Sequence, residues 1–150
     1  MRLAIARTRD GIAAGQSPFG SVIVYEGRVI AATHNTVWLD TDPTAHAEVN
    51  ALRLAARTLK SIDLKGSTLF STCEPCPMCL SAIHWAKVDR VVFGASIADA
   101  AAAGFSELAV AAKELARLGQ SPLMVEGGLL AEECAGLFEE WRRSGRSRSY

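Results

Sequence analysis

No apolar run in this chain approaches the roughly 20 residues that a helix needs to cross a bilayer, which excludes a helical membrane span by length alone. Nor does the first stretch read as a signal peptide, because Arg2, Arg7, Arg9 and Asp10 interrupt every apolar segment. A soluble, cytoplasmic protein is expected. Neither sign of charge is in excess: sixteen basic residues meet sixteen acidic ones, so no global positive field draws the chain onto nucleic acid. The local exception is "RRSGRSRSY", where Arg142, Arg143, Arg146 and Arg148 occur without an acid, and residues 142–150 read as a solvated basic tail. Internal repeats, low-complexity linkers and shifts of composition are missing too, and a single domain over 1–150 is expected.

Cysteine is scarce, and that scarcity is uneven. Of the four, three crowd into the seven residues "CEPCPMC" at 73–79. The spacing is too tight for a disulfide framework and suits a metal held in a reducing compartment. Cys134 lies apart on an apolar helical stripe and reads as a small buried hydrophobe.

Periodicity then supplies the elements. "RLAIARTRDGIAAG" has helical spacing through Leu3, Ala6 and Ile12, with Gly15 as its stop. "SVIVYEGRVIAA" holds two β-branched runs joined at Glu26-Gly27, a hairpin. "DPTAHAEVNALRLAARTL" predicts a helix capped by Asp42 and opened by Pro43, with Val49, Leu52, Ala56 and Leu59 inward. "STLFST" is a strand running into the cysteine cluster, and "CPMCLSAIHWAK" a helix. "RVVFGA" is a strand covered on both faces, "SELAVAAKELARLG" a long helix, and "PLMVE" a last strand. Leu130, Cys134, Leu137, Phe138 and Trp141 stripe a final helix. A hairpin followed by alternating helices and strands points to an α/β fold, a mixed sheet of about five strands with helices on both faces.

Cys76 and Cys79, three apart in the first turn of a helix, put both sulfurs on one face, where the positive helix end favours thiolates. His46 opens a different helix. Should the two helix starts meet, His46, Cys76 and Cys79 supply three ligands, and a zinc with three protein ligands keeps a place for water. Glu48 stands two residues after His46, on nearly the opposite side of a helix, so the two converge only on something beyond the helix end. The competing arrangement is a closed site, with Cys73 as the fourth ligand and no catalysis. That arrangement leaves Glu48 without a purpose.

"HAE" at 46–48 followed by "PCPMC" matches the H-x-E…P-C-x-x-C signature, and by it the chain resembles the zinc nucleobase deaminases of the cytidine-deaminase-like superfamily over essentially its whole length. The resemblance implies a three-layer α/β/α sandwich around a five-stranded mixed sheet, and Zn²⁺ as cofactor. It also implies hydrolytic deamination: water activated by zinc attacks the amino-bearing ring carbon, while Glu48 moves its proton to the ring nitrogen and helps ammonia leave.

Within the superfamily, "DPTAHAEV" and "CEPCPMC" resemble the branch of guanine deaminases and tRNA adenosine deaminases. "DAAAAGFSE" at 99–107 resembles guanine deaminases, which carry an acid after an A-G-F segment, and Glu107 holds that position. The resemblance gives Glu107 a part in catalysis and in binding, as acceptor for the N–H edge of guanine. The plainer alternative sets it in the first turn of a helix capped by Ser106. Asn35 matches the family's asparagine that bonds the substrate ring, Phe19 in "SPFG" the aromatic pocket wall, and Tyr150 a C-terminal closing residue. Guanine is thus the expected substrate. A tRNA adenosine, another aminated heterocycle or a nucleoside are the alternatives, and a zinc-stabilised interaction module without activity is the reading from another class. The family's usual state implies a homodimer, with His84 and Trp85 as surface candidates.

Overall fold

The computed structural model describes residues 1–149. The elements run α1 (Arg2–Ala13), β1 (Gly20–Tyr25), β2 (Arg28–His34), α2 (Val37–Asp40), α3 (Ala47–Leu59), β3 (Ser67–Cys73), α4 (Pro77–Trp85), β4 (Arg90–Ala95), α5 (Ile97–Ala102), α6 (Ala112–Leu118), β5 (Met124–Glu126) and α7 (Ala131–Arg143). The strands form one mixed sheet in the order β2-β1-β3-β4-β5. The hairpin pairs β1 with β2, β1 also pairs antiparallel with β3, and the β3–β4 and β4–β5 pairs are parallel. Glu26 and Gly27, with φ of 48° and 73°, make the tight turn that two joined β-runs require.

Two cores lie on opposite faces of this sheet. Register places Ala31, Ile23, Leu69, Val91 and Val125 in one row across all five strands. That row packs against Ala51, Leu52 and Ala55 of α3, Leu80 and Ile83 of α4, and Ala112 and Ala116 of α6. On the other face, Ile5 and Ile12 of α1 join Cys134, Leu137, Phe138 and Trp141 of α7 around Phe19, Cys73, Ala95 and Phe105. The result is the α/β/α sandwich. Cys134 is buried as expected, and Gly94 beneath it has no room for a Cβ because the Cys134 side chain fills the space.

Several boundaries differ from the periodic reading, each for a physical reason. In α1 the buried face is Ala4, Ile5, Thr8, Gly11 and Ile12, while Leu3 is exposed. In α3 the buried residues are Ala47, Glu48, Ala51, Leu52 and Ala55, a face carried by small alanines rather than by Val49 and Ala56, with Leu59 partly buried against the same core. Asp42 does not cap α3. Its Oδ1 accepts from the Thr44 backbone N–H at 2.8 Å and hydroxyl at 2.7 Å, closing a local turn, and the helix begins after His46.

The long helix predicted over 106–119 is broken: α5 ends at Ala102, Gly104 turns with φ 99°, and the chain is neither helix nor strand until Ala112. At the other end α7 continues through Arg143, so Arg142 and Arg143 are helical and pair with Glu139. The tail that follows is docked rather than free. The Arg146 guanidinium donates to the Ala13 carbonyl at 3.3 Å, and Arg148 lies 4.7 Å over the Trp38 ring, whose Nε1–H donates to its carbonyl. No helix among the described residues is long and apolar enough to cross a membrane.

Candidate metal and active site

The site forms where two helix starts face each other beside the C-terminal end of β3. His46 is the residue before α3 and Cys76 the residue before α4, both extended, with φ/ψ of −65°/154° and −61°/165°. His46 makes no side-chain capping bond to α3, and the Cys76 thiol is bonded by Cys79 one turn into α4, which keeps the two sulfurs together at the helix start. Cys79, one turn into α4, joins them. His46 Nδ1 lies 3.8 Å from Cys76 Sγ and 3.5 Å from Cys79 Sγ, and all three donor atoms fall within 4.8 Å of one another. A tetrahedral zinc with bonds of about 2.3 Å to sulfur and about 2.1 Å to nitrogen sets such atoms about 3.6 Å apart. The donor set therefore fits that ion in both chemistry and spacing.

Cys73 stays outside the group. Its Sγ is directed at the Ser96 carbonyl at 3.5 Å, and burial pushes its thiol well above the usual range. Three protein donors, not four, converge.

Glu48 is buried beside them in the first turn of α3. Ser71 on β3 donates its hydroxyl to Oε1 at 2.8 Å, and Cys79 Sγ lies 3.5 Å from Oε2. Burial raises the Glu48 pKa above the ordinary carboxyl value; the His46 charge opposes the shift and the Cys76 charge adds to it. The Cys76 thiol is drawn down to about 4, first by the hydrogen bond from Cys79 and then by His46, against its own burial. His46 is raised: burial pulls it down, but the bond to Cys76 and the Glu48 and Cys76 charges outweigh it. His46, Cys76 and Cys79 thus form a group that could hold a metal ion, with a buried carboxyl group of raised pKa beside it.

Glu107 lies on the irregular segment between α5 and α6, close enough to the group for the Cys76, Glu48 and His46 charges to act on its carboxyl. It is not in a helix, so the helix-start alternative for it falls away. Its Oε2 is buried and meets no hydrogen-bond donor among the described residues. Burial pushes its carboxyl up to about 7, with the Cys76 and Glu48 charges adding to the shift and His46 opposing it. Phe105 anchors the segment from below, its ring 4.8 Å from Phe19 and 5.1 Å from Trp141.

Asn35 is fully buried at the end of β2, its N–H held by the Phe19 carbonyl at 2.9 Å and its Oδ1 accepting from Val37 N–H at 3.1 Å. Phe19 itself is 6% exposed and belongs to the core on the α1–α7 face. Tyr150 lies outside the described residues. Two residues at the site went unread in the sequence. Ser71 orients Glu48, and the alternation of β3, which turns Leu69 to the α3 core and so Ser71 to the same face, was the available signal. Glu74 accepts from the N–H groups of Ile97 and Ala112, and nothing local announces that role.

Comparison with known proteins agrees with this geometry. Over all of its length the chain is 37% identical to guanine deaminase of Bacillus subtilis (strain 168), covering 96% of that protein. It is 33% identical to a tRNA-specific adenosine deaminase of Buchnera aphidicola subsp. Schizaphis graminum, over 88% of this chain and 84% of the relative. A solved guanine deaminase from Nitrosomonas europaea superposes with a TM-score of 0.85 at 30% identity, over 93% of this chain and 81% of that one. The model of the cytidine and deoxycytidylate deaminase zinc-binding region matches residues 1–95, the span that contains His46, Glu48, Cys76 and Cys79. With that match across both halves of the motif, and three donors set at zinc spacing, the chain belongs to the zinc-dependent cytidine and deoxycytidylate deaminase family.

Proposed function

We propose that this deaminase acts on a free purine base, converting guanine and water to xanthine and ammonia. The observation that carries the reading is the buried, unpartnered oxygen of Glu107 beside the metal group. A buried acceptor without a donor is costly, and a ligand that brings N–H groups removes the cost. The N1 and 2-amino edge of guanine offers such a pair, and adenine lacks it.

In this reading His46, Cys76 and Cys79 hold zinc, which when bound supplies Lewis acidity and lowers the pKa of a water. Glu48, steadied by Ser71, accepts a proton from the attacking water, passes it to the ring nitrogen, and helps the amine depart as ammonia. Asn35 bonds the ring, and Phe19 supports the pocket from the core side. A second copy of the chain pairs on the face between α4 and α6, where Trp85 stands 77% exposed.

The alternative is deamination of adenosine in tRNA, favoured by the similarity to the Buchnera relative. Against it, the chain has no net charge, whereas gripping an anticodon loop calls for basic and aromatic groups around the pocket. An ammonia-release screen of the zinc-loaded protein over guanine, guanosine, adenine, cytosine, cytidine and an anticodon stem-loop separates these. Guanine is expected to lead. Release from the stem-loop alone would replace the substrate and leave the chemistry standing, and no release from any would return the chain to a non-catalytic role.

A further inference from the structure

Glu74 lies between Cys73 and Cys76, yet takes no part in the metal group. It is 7% exposed, and both carboxylate oxygens are in use. Oε2 accepts the Ile97 N–H at 3.1 Å and Oε1 the Ala112 N–H at 2.8 Å. Ile97 and Ala112 are the first residues of α5 and α6. The backbone N–H of Glu74 also donates to the Ala95 carbonyl at 2.8 Å, so the residue is pinned to the end of β4 as well.

Everything between these two anchor points matters to the site. The stretch 98–111 contains Gly104, Phe105 and Glu107, and its central part has neither helix nor strand to hold it. α5 carries its own capping box from Ser96 and Asp99. α6 has none: Ala111 precedes it and offers no side-chain oxygen. An acid from a distant loop fills that place, and with its other oxygen takes hold of α5. One carboxylate, two residues before Cys76, thus grips both ends of the loop that carries Glu107.

We propose that Glu74 is a positioning residue for the reaction: by clamping the starts of α5 and α6, it ties the Glu107 loop to the segment that supplies the two cysteine ligands. Substrate-reading acid and metal centre then keep one fixed spacing. The proposal rests on the substrate role given to Glu107 above. Catalytic geometry is sensitive to such spacing, and a displacement of about 1 Å at a reacting group costs up to about a hundredfold in rate.

The test uses full-length, zinc-loaded protein and the variants Glu74→Ala, which removes both acceptors, and Glu74→Gln, which keeps the shape but turns an amide N–H₂ toward one of the two backbone donors. Zinc per chain should stay unchanged in both. Amide exchange without substrate should quicken at Ile97, Ala112 and the residues between them, more in Glu74→Ala than in Glu74→Gln. kcat/KM should fall by on the order of tenfold to a hundredfold. In a Glu107→Gln background the same change should cost little further, because the group it positions is already gone.

Unchanged exchange protection overturns the clamp, and losses that multiply in the double variant overturn the positioning role. If Glu74→Ala does not fold, Glu74→Gln runs the same cycle. Should the protein deaminate a different amine, the cycle on that amine still reads the coupling, so a wrong substrate and a wrong clamp leave different results. Where Glu107→Gln has no effect on any substrate, the reading of Glu107 fails and amide exchange alone decides the clamp.

Discussion

In the proposed reading Glu48 and Glu107 are two carboxyl groups serving one metal group, and their surroundings suit them to different tasks. Glu48 is held by Ser71 next to Cys79, and burial raises its affinity for a proton, which is what a shuttle between water and a ring nitrogen needs. It supplies none of the three converging metal donors. Glu48→Ala should therefore leave zinc stoichiometric by elemental analysis while ammonia release drops by about a thousandfold or more. Loss of zinc together with activity would instead make Glu48 a ligand. In the proposed reading Glu107 takes both N–H groups of the guanine edge only when ionised, and burial has lifted its carboxyl to about 7. Below that value the proton stays on and the acceptor is blocked, so kcat/KM for guanine should climb as pH rises through it. Glu107→Gln should flatten this acidic limb in a pH-rate profile, and a limb that survives the change belongs to another group.

The stretch from Ile97 to Leu118 shows why some elements were readable in sequence and others not. The hairpin was legible because Glu26-Gly27 sits between β-branched runs, a purely local signal. The ligand set was legible for a similar reason: Cys76 and Cys79 share one helix start, and spacing along a helix needs no tertiary knowledge. The alanine-rich run after Ser106 carries helical propensity, but tertiary contacts override it between Gly104 and Ala111. Phe105 is pulled into the core against Phe19 and Trp141, and Glu74 takes the N–H of Ala112. Neither contact is visible along the chain. Asp42-Pro43 looked like a helix start and made a turn instead, because His46 has to stay extended at the helix end where the donors meet. Gly104 makes the break between α5 and the loop possible, with φ 99° and open space where a Cβ would lie. Gly104→Ala meets no clash but strains the backbone, which should lower stability in urea by about 1 to 2 kcal/mol. It should also lower kcat/KM by shifting Glu107, with zinc content unaffected. Full stability and full activity together would mean the break is held by its neighbours and not by glycine.

Across the whole molecule, polar groups of the tail and apolar groups of one helical face have opposite fates. The basic tail folds back on its own chain, through Arg146 on the Ala13 carbonyl and Arg148 on Trp38, and Arg142 at the end of α7 donates to the Ala102 carbonyl. Exposed contacts of that kind contribute little to stability, but they spend donors that a nucleic acid would otherwise meet. The face between α4 and α6 does the reverse. His84 is satisfied within the chain by Ser121 at 2.8 Å, whereas Trp85 beside it is 77% exposed and Leu118 61% exposed. His84 and Trp85 line a groove together with Leu80, Leu115 and Ala116. A large aromatic left in water next to an apolar groove is the surface a second copy would cover. The wild-type protein should then sediment at micromolar concentration as twice the 16.0 kDa of the chain. Trp85→Asp puts a charge into that contact and should return it to the single-chain mass. Its melting temperature as a monomer should still report a folded domain, because Trp85 contributes little to either core. A wild-type chain that sediments alone, or a variant that still pairs, would place the subunit contact on another face or remove it.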